Sequence, residues 1–347
     1  MLIDLKKLDR ENILSTDDWE KVKNKDKDEF IKNKEKLLFK IYESQVKEKE
    51  SFSKFLQRIF LDQYLELKNY ANEKGIKIFG DLPFYVNLNS RDLIENKKYF
   101  LLDSDGEPTY QAAVPPDAFQ EKGQLWGTPV YNWETLEKDG FSYWVEKIKS
   151  LSLLYDYLRI DHFRGLESYY RVKWKAEDAT DGEWVKAPGD KLLNLLTQIS
   201  GVKIIAENLG YITPEVDYLM EKYSIPGMKV LQFIDEDLYL KNEKSDTVYY
   251  TGTHDNQMLL SWIREKFNPE EELEKDLLWD FIKKVYYSRA AWAIIPFQDL
   301  LELDNSARMN TPGTVNGNWT WTWNGNFEAL SELENKLNKL TKISDRR

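Results

Sequence analysis

The spacing of apolar residues divides this chain into two stretches. Residues 17–50 are dense in Lys and Glu with few apolar positions, the pattern of solvent-facing helices. From Phe52 the apolar residues fall three or four apart (Phe52, Phe55, Leu56, Ile59, Phe60, Tyr64, Leu67), which predicts an amphipathic helix. Gly75 is placed to end it as a left-handed cap. Beyond that point, short apolar runs alternate with helical patterns. The runs cover 76–86, 154–163, 203–210, 228–235, 247–256 and 290–301, and each reads as a buried strand. Helices are expected over 139–151, 189–200 and 274–289, and Thr213-Pro214 opens another with an N-cap and a first-turn proline.

Strands alternating with helices predict a parallel sheet, closed as a doubly wound layer or as a (β/α)8 barrel. No G-x-G-x-x-G follows any run and no G-x-x-x-x-G-K-[ST] occurs, so a dinucleotide or P-loop site is not expected. No internal repeat, low-complexity linker or composition break stands out. The expectation is one barrel-type α/β domain over 1–347 with a helical N-terminal region over 1–75, and six of the eight barrel strands evident.

Composition narrows the chemistry. The net charge of −11 makes nucleic acid or an anionic membrane a poor partner. The absence of cysteine excludes thiolate catalysis, disulfides and metal–thiolate sites. With only His162 and His254, multi-histidine metal sites are excluded as well, and no metal or cofactor is expected. The start MLIDLKKLDREN lacks the apolar core of a signal peptide, and no apolar run approaches the ~20 residues of a membrane span, so a cytoplasmic protein is expected. The 48 aromatics (12 Trp, 20 Tyr, 16 Phe) need burial, or else form platforms for sugar rings; composition alone leaves both open.

Three runs end alike: Asp161 closes LRID, Glu207 closes IIAE and Asp255 closes TGTHD. In a barrel the C-terminal strand ends share one face, where active sites are built. Carboxylates converging there suit acid/base and nucleophilic work at a glycosidic bond. A single such Asp is more often a helix cap or an ion-pair partner, and metal binding by these oxygens is the competing functional reading. Arg159 lies two residues before Asp161, on the same side of the strand, and is expected to keep that carboxylate ionised. His162 and His254 flank two of the acids and could donate to sugar hydroxyls, and Asp81 in GDLP is another strand-end acid.

These residues sit in stretches that resemble the amylomaltases, or 4-α-glucanotransferases. The stretches are GDLPFYV (80–86), VPPDAF (114–119), GQLWGTPVYNW (123–133), LRIDHFRGLESYY (158–170), WVKAPG (184–189), IIAENLGYITPEV (204–216), PGMKVLQF (226–233), VYYTGTHDN (248–256), ARMNTPG (307–313) and GNW (317–319). The resemblance implies transfer of α-1,4-glucan segments between maltooligosaccharides by a retaining double displacement. It implies Asp161 as nucleophile, Glu207 as acid then base, and Asp255 as the group that binds the 2- and 3-hydroxyls. Arg159, His162, His254, Asn256 and Asp81 would line the substrate site. Asp117, Phe119, Gln124 and Trp126 would fall on a mobile acceptor-side loop that keeps water out. Such a mechanism needs Glu207 raised by burial and Asp161 held down by Arg159.

The chain departs from the family pattern in several places. The resemblance implies two barrel strands and a lining loop ahead of the segment resembled by LIDL (2–5), and this short chain is expected to lack them. A helical stretch between 40 and 55 is missing, and the loop between Phe233 and Val248 is reduced. Ala118 stands where an aromatic is common, and Asn208 where Asp is usual. Hence two alternatives stand beside transfer: an inactive, glucan-binding truncated barrel and an amylase-like hydrolase. A partner chain or self-association could complete the barrel.

Overall fold

The computed structural model describes residues 52–117, 120–199, 201–234, 245–314, 316–323, 325 and 327–346. The chain divides into two compact units, Met1–Ile78 and Phe79–Arg347, near the end of the expected helical region. The expected helices of 17–50 lie outside the described residues. In the first unit, helix α1 spans Phe52–Glu73. Phe55, Leu56, Ile59 and Tyr64 are half-buried, whereas Phe60 and Leu67 of the same apolar series are exposed. The helix ends as expected. Gly75 takes φ +80°, its N–H bonds the Asn72 carbonyl at 2.9 Å, and the Ile76 N–H reaches back to Ala71 at 2.9 Å.

In the second unit, each of the six apolar runs contains a parallel strand. Strands β1 (Phe79–Leu82), β4 (Tyr157–Ile160) and β7 (Lys203–Ala206) form one sheet in the order β1-β4-β7. Strands β8 (Met228–Val230), β9 (Val248–Tyr250) and β10 (Trp292–Ile294) form a second, in the order β10-β9-β8. Two bonds from residues at the strand ends tie the sheets together. The Ala206 N–H donates to the Pro226 carbonyl at 2.8 Å, and the Met228 N–H donates to Asn208 Oδ1 at 2.8 Å. An Asp would accept the second bond equally well, so Asn208 keeps this link. Gly227 makes room for it: a Cβ there would lie 2.7 Å from Asn208 Oδ1.

The expected helices are present: α4 (Ser142–Leu154), α5 (Gly189–Leu196), α6 (Pro214–Lys222) and α8 (Glu274–Tyr287). Thr213 precedes α6 as expected, but its side chain makes no capping bond. Helices α2 (Arg91–Glu95), α3 (Trp133–Lys138), α7 (Leu259–Phe267), α9 (Phe297–Leu300) and α10 (Glu328–Ile343) complete the set among the described residues.

One feature was not foreseen. Strands β2 (Tyr110–Val114), β3 (Gln124–Pro129), β5 (Ser168–Lys173) and β6 (Gly182–Lys186) form an antiparallel sheet in the order β3-β2-β5-β6. The inner strands β2 and β5 are mostly buried, in the patterns iBBBi and BBBiBe, while the outer strands β3 and β6 are largely exposed and each carry a glycine, so no regular alternation marks the sheet. Many aromatics are core: Phe84, Tyr131 and Trp144 are among the largest fully buried side chains, and they pack ring to ring.

Candidate active site

The register of the first sheet sets the site. Leu82 pairs with Ile160 and Ile160 with Ala206, so the three strands end level. Asp161 and Glu207 are the next residues on their strands. The Asp161 N–H bonds the Leu82 carbonyl and the Glu207 N–H bonds the Ile160 carbonyl, each at 3.0 Å. Asp81 pairs with Arg159 across β1 and β4. Arg159 is 7% exposed and grips Asp81 with two bonds, Nε to Oδ1 at 2.8 Å and Nη2 to Oδ2 at 2.7 Å. Nη2 also donates to Asp161 Oδ1 at 3.2 Å. A buried guanidinium is tolerable because two carboxylates meet it, one through a bidentate pair.

Glu207 is fastened by backbone amides. The His162 N–H donates to Oε2 at 2.8 Å, and the Leu209 N–H donates to Oε1 at 2.9 Å. His162 holds a left-handed conformation (φ 46°, ψ 49°), uncommon for a residue with a Cβ. That turn directs the amide next to Asp161 at the carboxyl of Glu207. Burial raises Glu207 to about 7, the negative charge of Asp161 adds to the rise, and the two amides and Arg159 oppose it. A negative charge on Asp161 therefore favours the protonated form of Glu207.

Asp161 itself departs from expectation. Burial raises it above its ordinary value; Arg159 pulls it down, while Asp81 and Asp255 push it up. Arg159 therefore limits the rise rather than producing a fall. The side chain keeps 45% exposure, so water shares in stabilising its charge. Burial also works against ionisation of Asp255, but bonds from His254 and Asn310 outweigh it and hold this carboxyl below its usual range. The His254 Nε2–Asp255 Oδ2 distance is 3.3 Å, and Asn310 Nδ2 donates to Asp255 Oδ1 at 2.5 Å. The bond to Asp255 in turn raises His254.

The remaining expected residues divide. Trp126 lies 4.8 Å, ring to ring, from His162, and Gln124 Oε1 accepts from its indole N–H at 3.3 Å. Both sit on strand β3, where a loop was expected. Burial lowers the His162 ring to about 4, so it is neutral near pH 7. Asn256 is buried, and its Oδ1 accepts from the Thr253 N–H and Oγ1, each at 2.8 Å, so it braces its own loop. Asp117 Oδ1 accepts from the Gln120 N–H at 2.7 Å, closing a turn. Phe119 lies outside the described residues. A cavity of about 290 Å³ reaches Asp81, Arg159, Tyr250 and His254. A larger one, about 830 Å³, lies between α6 and β8; neither cavity is lined by Asp161, Glu207 or Asp255, and only the smaller reaches Arg159 and His254, which contact two of them.

Sequence reasoning missed a second line of support, built by 299–310. Asp299 is fully buried and accepts from Thr251 Oγ1 and from the Leu259 N–H, each at 2.8 Å. Asn305 Oδ1 accepts from the Met258 N–H at 2.9 Å. Arg308 Nη2 donates to the Asp255 carbonyl at 2.5 Å, and the Asn310 N–H donates to the His254 carbonyl at 3.1 Å. The turn that carries Asp255 is thus held at both ends and in the middle. The motif ARMNTPG was the available signal, but nothing in its residue types reveals a partner more than 50 positions away.

Comparison with known proteins identifies the family. The family model described as 4-alpha-glucanotransferase matches residues 8–327. The chain belongs to the 4-alpha-glucanotransferase family. It is 41% identical over 322 residues to the 4-alpha-glucanotransferase of Clostridium butyricum, covering 88% of this chain and 66% of that protein. It is 39% identical over 298 residues to that of Thermus thermophilus, covering 80% of this chain and 60% of the relative. Among solved structures, the amylomaltase from Streptococcus agalactiae in complex with acarbose superimposes with TM-score 0.77 at 35% identity, covering 85% of this chain and 63% of that one. The chain therefore spans about two thirds of the length of these family members, and the second unit has their TIM-barrel-like α/β fold.

Proposed function

We propose that this protein is a 4-α-glucanotransferase that moves α-1,4-glucan segments between maltooligosaccharides by a retaining double displacement, in the cytoplasm that the sequence led us to expect. The observation that carries the reading is the pairing of Asp161 and Glu207 at level strand ends, linked through the His162 amide. Ionised Asp161 attacks the anomeric carbon. Protonated Glu207 gives its proton to the departing glycosidic oxygen, and the reducing-end segment leaves. Glu207, now a carboxylate, takes the proton of an acceptor hydroxyl, whose oxygen displaces Asp161 and restores the α-linkage. A Glu207 that titrates at about 7 suits both steps.

In this reading Asp255, held ionised by His254 and Asn310, accepts from sugar hydroxyls and offsets charge developing on the ring. Arg159 and Asp81 fix Asp161 in place. His162, Trp126 and Tyr85 form an aromatic wall; the Trp126 and Tyr85 rings lie 5.9 Å apart. Gln124 orients Trp126, and Asn256 acts through its loop. Asp117 and Phe119 are proposed on the acceptor side.

We further propose that the barrel of this chain is incomplete. Among the described residues six parallel strands are formed, and β1 and β10 each pair within a sheet on one side only. A second copy or a partner chain would cover those edges. The test of function is the product profile from maltotriose. Transfer gives glucose together with longer oligomers, and Glu207→Gln gives neither. Reducing ends without longer products would mean hydrolysis, and binding without products would mean an inactive glucan binder.

A further inference from the structure

We propose that Tyr211, Arg164 and Trp184 form a separate glucan-binding platform beside the candidate site, which takes an α-1,4-glucan chain longer than the catalytic cleft itself holds. Arg164 lies in the short turn Phe163–Leu166 that follows Asp161 and His162. Tyr211 lies on the loop that follows Glu207. The platform thus grows from the two loops that carry the paired carboxylates, and the proposal rests on the transferase reading for the identity of its ligand.

The arrangement is a cation between two rings. The Arg164 guanidinium carbon is 3.9 Å from the Trp184 ring centre and 5.2 Å from that of Tyr211. Arg164 is 7% exposed, and its Nη1 donates to the Tyr211 carbonyl at 3.0 Å, which fixes the guanidinium plane. Its Nε is buried without a hydrogen-bond partner among the described residues. The rings are not hidden by this packing: Tyr211 is 76% exposed and Trp184 42%.

A clip that merely held strand β6 against the Glu207 loop would gain most by covering both rings, because exposed aromatic area contributes nothing to stability. Here one face of each ring is engaged by the cation while much of each side chain stays open to water. A flat, neutral, hydroxyl-rich ligand fits that surface. The C–H face of a pyranose lies on an aromatic face, and the buried Arg164 guanidinium holds the two rings in place rather than meeting the ligand itself. Polarisation by the cation behind them does not make the rings suitable for a further cation. An anionic ligand would meet a chain of net charge −11.

The test is electrophoresis of the native protein through gels containing soluble amylose, with maltotriose turnover measured on the same preparations. Tyr211→Ala is expected to weaken amylose affinity about three- to tenfold. Trp184→Phe should weaken it less, and Tyr211→Phe should retain it. Tyr218→Ala, a change at an exposed ring on α6 outside the platform, controls for loss of a surface aromatic. Unfolding temperatures of the variants separate lost binding from lost folding. If wild type and Tyr211→Ala are retarded equally, or wild type is not retarded, the platform is overturned. If wild type is retarded, Tyr211→Ala is not, and maltotriose yields no products, the platform stands and the transferase reading falls.

Discussion

At the scale of single residues, the account turns on how Glu207 and Asp255 are held. Glu207 titrates at about 7 in the fold against an ordinary 4.5. The fold thus favours its protonated form. That stabilisation is fully present below pH 4.5 and is lost as pH rises through about 7, a difference of about 3 kcal/mol. Gln cannot ionise, so the stability of Glu207→Gln relative to wild type should be about 3 kcal/mol more favourable at pH 8 than at pH 4, read from denaturant unfolding. The amide-facing Gln NH₂ costs the same at both pH values and cancels. An unchanged difference would place the titration elsewhere. Asn310→Ala removes a bond to the Asp255 carboxylate and should lower kcat on maltotriose about tenfold to 100-fold, with a smaller change in KM. Wild-type kcat in that variant would show that Asn310 does not position the acid. Asp161 and Glu207 were legible because each directly follows an apolar strand; Asp255 was expected at a strand end too, but β9 stops at Tyr250 and the acid lies five residues further on, in a turn. Their charge states were less so: the nearby Arg159 suggested a lowered Asp161, whereas burial, which no sequence prints, has the larger effect.

At the scale of elements, the six parallel strands were legible because strands covered on both faces must be continuous apolar runs. The antiparallel sheet was not, since β3 (QLWGTP) and β6 (GEWVK) are largely exposed and mix polar, aromatic and glycine positions. It bears on the proposed site, because β3 carries Gln124 and Trp126. The segment 299–310 was hidden for another reason: its bonds to 251–259 are long-range and depend on the fold. Asp299 is central to them. Asp299→Ala would leave a buried hydroxyl and a buried amide unmet, costing about 1–3 kcal/mol for each. We expect a lower unfolding temperature and slower turnover together. Asp299→Asn should recover both, since its carboxamide can accept from Leu259 and donate to Thr251. If Asn is no better than Ala, the negative charge itself, not the two bonds, is what the turn requires.

At the scale of the whole molecule, two three-stranded sheets have β1, β7, β8 and β10 as outer strands; β7 and β8 face each other through the Ala206–Pro226 and Met228–Asn208 bonds, which leaves β1 and β10 with one paired edge each among the described residues. Unpaired parallel edges template further pairing. Light scattering on the purified chain should therefore report a mass above 41.2 kDa at micromolar concentration. An active monomer would show that the proposed completion by a second chain is unnecessary. The family was legible in the order of the motifs, whereas the number of strands needed for catalysis was not, since closure is a property of the assembled sheet. The central claim is that Asp161 and Glu207 act on one anomeric carbon. Its most direct test is mass spectrometry of Glu207→Gln after incubation with an α-glucosyl fluoride. Fluoride leaves without acid help, but release of the sugar needs the missing base, so a glucosyl ester should accumulate on the peptide that contains Asp161. An adduct on another carboxylate, or none under conditions where the sugar fluoride is consumed, would contradict the account.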